Sequence, residues 1–114
     1  MKKIAIVTCL QANDVCAGCA CLNALYDRRK AFERYAGEEV RLMAFMRCSH
    51  CVKEEDPMED EGFVEKLERL VSEGVETVHI GVCAGREEET ACPGMKKMVE
   101  AFREKGLEVI WGTH

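Results

Sequence analysis

Ile4-Ala5-Ile6-Val7-Thr8 runs directly into Cys9. The run is short, rich in Ile and Val and not alternating, the pattern of a parallel strand buried on both faces. Three other apolar runs end in the same way. Val40-Arg41-Leu42-Met43-Ala44-Phe45-Met46 leads through Arg47 to Cys48-Ser49-His50-Cys51, Val78-His79-Ile80-Gly81-Val82 ends in Cys83, and Val109-Ile110-Trp111-Gly112-Thr113 ends in His114. Four strands are predicted, over residues 3–8, 40–46, 77–82 and 107–111.

The stretches between these runs carry helical spacing. Leu22, Leu25, Phe32 and Ala36 share one face of a helix predicted over Leu22 to Ala36, with Gly37 as its stop. Asp56-Pro57-Met58-Glu59 is a helix start, with Asp56 as cap, Pro57 at the first position and Glu59 reaching back. Phe63, Leu67, Leu70 and Val71 form the apolar face of that helix, which stops at Gly74. A third helix opens at Pro93, packs through Met95, Met98, Val99 and Phe102, and ends at Gly106.

Strand and helix alternating in this way specify an α/β fold. The expected architecture is three-layered and flavodoxin-like or Rossmann-like: a four-stranded parallel sheet in the order 2-1-3-4 with helices on both faces. The 114 residues are read as one domain, 1–114. In such sheets ligands bind beyond the carboxyl ends of the strands, where the strand order reverses, here between the first and third strands. All eight cysteines fall in strand-to-helix connections or helix starts, which places them at that edge.

Composition narrows the partners. A formal charge of −5 argues against nucleic acid, which is gripped by clustered Lys and Arg. No stretch approaches the roughly 20 apolar residues of a membrane helix, and the opening Met1-Lys2-Lys3-Ile4-Ala5-Ile6-Val7 is too short for a signal-peptide core. A soluble, cytoplasmic protein is expected. In a reducing compartment, cysteines in this number point to metal ligation or redox chemistry rather than a disulfide framework.

Clustered thiolates suit zinc, which takes four Cys or His ligands tetrahedrally. Cys48-x-x-Cys51 and Cys16-x-x-Cys19 each have the separation that lets two sulfurs of a short loop reach one ion. The expected partner is therefore a metal ion, with Cys9, Cys48, Cys51 and Cys83 as the foremost ligands. Cys16, Cys19, Cys92 and His114 stand in reserve. An iron–sulfur cluster or an exchangeable Cys-x-x-Cys dithiol is the competing chemistry. His79, inside the third strand, is expected to be a hydrogen-bonded core residue, and Cys21 a small buried hydrophobe as readily as a ligand. No glycine-rich nucleotide motif is present, and Arg86 stands too near Cys83 for a Cys-x5-Arg anion loop.

With its cysteines so placed, the chain resembles the CGGC domain family, small cysteine-rich proteins for which metal binding, with zinc foremost, has been suggested. The resemblance rests on Cys9, Cys16, Cys48-Ser49-His50-Cys51, His79 with Cys83, Cys92-Pro93 and the closing Gly112-Thr113-His114. Ser49 and His50 stand where the family has two glycines, so the freer backbone of Gly-Gly is lost at that loop.

Overall fold

A computed structural model describes residues 1–48 and 56–113. The expectations placed on Ser49, His50, Cys51 and His114 lie outside the described residues. Strand β1 spans Lys2–Thr8, β2 Val40–Arg47, β3 Thr77–Ile80 and β4 Glu108–Ile110. They form one parallel sheet in the order β2-β1-β3-β4, as the alternation predicts. β1 is central, and Ile4, Ala5, Ile6 and Val7 are fully buried, which explains its unbroken apolar run.

Helix α1 covers Cys19–Tyr26, α2 Glu61–Ser72 and α3 Pro93–Glu104. Two cores result. On one face of the sheet, Phe63, Leu67 and Leu70 of α2 pack with Met95, Met98, Val99 and Phe102 of α3 over Ala5, Val7, Val78 and Ile80. On the other, Cys21, Ala24 and Leu25 of α1 join Phe32 and Tyr35 over Ile4 and Ile6.

Three helix boundaries differ from expectation, the first being that α1 opens at Cys19, three residues before Leu22. The first helix does not continue to Ala36: it stops at Tyr26, and Lys30–Tyr35 forms a 3-10 turn. Arg28 and Lys30 both adopt φ 53°, which an α-helix continuing past Tyr26 could not accommodate. Arg28 holds this break by donating from its guanidinium to the carbonyls of Leu25, Tyr35 and Glu38. The second helix does not start at Asp56. That carboxylate caps a 3-10 turn over Pro57–Glu59 by accepting from Met58 N–H, and Asp60 repeats the device on Gly62 N–H to open α2.

The register between β1 and β2 slips once. Ile4 pairs with Leu42, but Ala5 pairs with Ala44, so Met43 is an extra residue on β2. Side chains alternate between faces along a strand, so the bulge shifts everything after it by one step. Leu42 and Phe45 therefore both belong to the α1 side, and Ala44 and Met46 to the α2–α3 side.

Candidate metal centre

The β1–β2 ladder continues one step past the strands, where Cys48 N–H donates to the Thr8 carbonyl at 2.8 Å. That bond and the Met43 bulge place Cys48 beside Cys9 on the α2–α3 side. Cys48 is buried at 5% exposure in that core, and Cys9 and Cys92 pack against it. Cys92 arrives by a different route. It is the residue before Pro93 and caps α3, and its N–H donates to Ala84 O at 3.3 Å.

These three residues, from three separate strand-to-helix junctions, line one small cavity with Leu10, Ala84 and Met95. Its volume is about 20 Å³, room for one water or one ion. Two larger hollows are present among the described residues, one of about 320 Å³ between Asp56 and Lys97 and one of about 570 Å³ between Met46 and Leu70. Neither contains a cysteine, so donor chemistry and not size singles out the small cavity. Among the described residues no three His, Cys, Asp or Glu side chains converge tightly enough to hold an ion as they stand. The donor set fits a soft or borderline cation in kind; Cys51, three residues beyond Cys48, lies outside the described residues.

The other four described cysteines gather on the other side of the edge. Cys83 is exposed, and its Sγ accepts a hydrogen bond from Cys9 N–H at 3.2 Å. A side-chain carbon on Gly81 would stand 3.3 Å from that sulfur and 3.2 Å from Thr8 Cγ2, so the bare glycine leaves room for Cys83 to fold back against the strand end. Cys21 is 2% exposed in the α1 core. Burial, then the charges of Cys83 and Cys16, push its thiol up to about 11, against a lowering pull from Arg47. Cys16 accepts from Gly18 N–H at 3.3 Å, and Cys19 is exposed at the start of α1. Of the foremost candidates, then, Cys9 and Cys48 share the cavity with the reserve residue Cys92, while Cys83, Cys16 and Cys19 do not line it.

Sequence reasoning did not single out Arg47, which donates to Thr8 Oγ1 at 3.3 Å beside this second group. Its position directly before Cys48 was the available signal. His79 is a core residue, as its strand position predicts. It is fully buried, its Nε2 is 2.7 Å from the Tyr35 hydroxyl, and its ring lies 4.4 Å from that of Phe32. Burial, with smaller contributions from Arg34 and Lys2, lowers its pKa to about 4. At the far end of the edge, Thr113 donates its hydroxyl to Ile80 O, anchoring the chain just before residue 114.

A parallel α/β sheet with its cysteines grouped at the carboxyl edge defines a small thiol-rich protein whose donors suit a metal. Residues 3–114 match the model of the CGGC domain, and the chain belongs to that family. Comparison with curated proteins and with solved structures finds no match. Family membership and eight cysteines fit a metal-binding protein. No helix among the described residues is long and apolar enough to cross a membrane.

Proposed function

We propose that the protein binds zinc at the carboxyl edge of its sheet, through Cys9, Cys48 and Cys92 with Cys51 as the fourth donor. The observation that carries this reading is the shared cavity: three thiols from three junctions far apart in sequence face one ion-sized space. Structural zinc sites are closed by four protein donors, and Cys48-x-x-Cys51 has the spacing that supplies two from one loop. Bound zinc would draw the three βα junctions together and keep the coordinating sulfurs deprotonated.

The test is elemental analysis of full-length protein purified under reducing, anaerobic conditions. About one equivalent of zinc and no visible absorption is the expected result. A brown charge-transfer band with iron and sulfide would replace zinc by an iron–sulfur cluster. Protein carrying no transition metal, and taking none up on titration, would overturn the reading. Cys9→Ser, Cys48→Ser and Cys92→Ser should each weaken zinc binding, whereas Cys19→Ser, at an exposed helix position outside the cavity lining, should not.

A further inference from the structure

We propose that Cys83 and Cys21, on the α1 side of the sheet edge, form a hydroperoxide-responsive dithiol separate from the zinc-binding cavity. The assignment rests on complementary placement. Cys83 is exposed in the loop leaving β3, where a small oxidant reaches it from solvent. Its sulfur is not loose, because Cys9 N–H donates to it and the missing side chain of Gly81 lets it lie against the end of the strand. Cys21 is its counterpart in α1, buried under the same edge and shielded from direct attack.

Three placements bring the two sulfurs to the same side. Cys21 packs with Ile4 and Ile6, the β1 residues that alternate onto the α1 face. Thr8 is the next residue of that set, and the Gly81 position that abuts Cys83 Sγ also abuts Thr8 Cγ2. Electrostatics agree: of the charges acting on Cys21, that of Cys83 is the strongest. Neither residue lines the cavity of Cys9, Cys48 and Cys92.

The chemistry balances with a hydroperoxide as the sole oxidant. The Cys83 sulfur attacks the terminal oxygen of ROOH, an S–O bond forms as the O–O bond breaks, and the thiol proton leaves with the alkoxide as ROH. Cys83 becomes a sulfenic acid, oxidised by two electrons, and the peroxide is reduced to the alcohol. The Cys21 sulfur then attacks the sulfenic sulfur, the S–S bond forms as S–O breaks, and hydroxide departs with the Cys21 proton as water. The resulting bridge ties α1 to the loop after β3, and a thiol reductant reverses it.

The experiment treats zinc-loaded, full-length protein with tert-butyl hydroperoxide, alkylates the remaining thiols and maps peptides by mass spectrometry, with metal content followed in parallel. The expected product is a Cys21–Cys83 linked peptide that dithiothreitol removes, formed while zinc is retained. In Cys21→Ser the sulfenic acid should persist and be trapped at Cys83 by dimedone. In Cys83→Ser, an exposed position, Cys21 should stay fully alkylated after peroxide. A bridge between other cysteines with Cys21 and Cys83 both alkylated, or Cys83 unchanged by peroxide, would overturn the proposal. Protein that never held zinc but formed the Cys21–Cys83 link would refute the metal reading and leave this one standing.

Discussion

The backbone N–H of Cys9 donates to Cys83 Sγ across 3.2 Å, so the turn leaving β1 and the loop leaving β3 meet through a thiol. The contact sits at the point where strand order reverses, the place where α/β sheets build sites. Cys9 gives its amide to one group of cysteines and its side chain to the other. The edge is thus two neighbouring thiol environments, one beneath α2 and α3 and one beside α1.

Removing the sulfur acceptor should be nearly harmless to folding, because Cys83 is exposed and water can replace it. Cys83→Ala is expected to cost under about 1 kcal/mol in urea denaturation. Its zinc stoichiometry should equal that of the unaltered protein. A clear loss of zinc would return Cys83 to the ligand set.

Deleting Met43 should spare the facing of Cys48. Met43 is the extra residue of the bulge, so without it Ala44 follows Leu42 in regular alternation, still opposite Ala5, and Phe45, Met46 and Cys48 keep their present faces. The deletion is expected to leave zinc stoichiometry unchanged while circular dichroism still reports helix and sheet. Zinc lost from a folded deletion variant would show that the site needs the local twist of the bulge as well as the facing of Cys48.

His79 makes stability fall in mild acid. Its folded pKa of about 4 lies below the unfolded value of about 6.5, so between these limits the unfolded chain binds a proton that the folded chain does not. Stability contributed by the neutral ring is complete above pH of about 6.5 and is lost as pH falls toward 4, at up to about 1 kcal/mol per pH unit. Denaturation midpoints should follow that slope, and His79→Gln should flatten it. Tyr35→Phe removes the partner of Nε2, and since Nδ1 has none among the described residues, it is expected to cost about 1–3 kcal/mol.

Gly85→Ala should disturb both fold and cavity. Gly85 has φ 145°, and a Cβ there would stand 2.7 Å from Ala91 Cα, a backbone atom that cannot swing away. Relief would push the segment carrying Cys92 outward, against its N–H bond to Ala84 O. A destabilisation of about 2 kcal/mol or more is expected, with weaker zinc binding. Thermal melts and a zinc titration of the same variant would check the pair.

Strand order, the layered architecture and the edge that carries the cysteines were all legible in the chain. Each strand here is a short apolar run and each crossover has a helical period, and right-handed connections leave few ways to arrange them. α3 could be read from Cys92-Pro93 to its last turn because proline and the Met95–Phe102 stripe are local signals. The first helix was overextended because its apolar spacing continues past Tyr26, whereas the break is held by Arg28 bonds to distant carbonyls.

The sequence by itself determined that its cysteines meet at one edge, since every one follows a parallel strand or opens the helix after it. Which of them meet was decided only by tertiary structure. The Met43 bulge turns Cys48 toward Cys9, the bare Gly81 gives Cys83 its place against the strand end, and packing of α3 brings in Cys92. Facing is set by pairing register and by contacts between elements far apart in the chain, and a one-residue slip, invisible in an apolar run, reverses it.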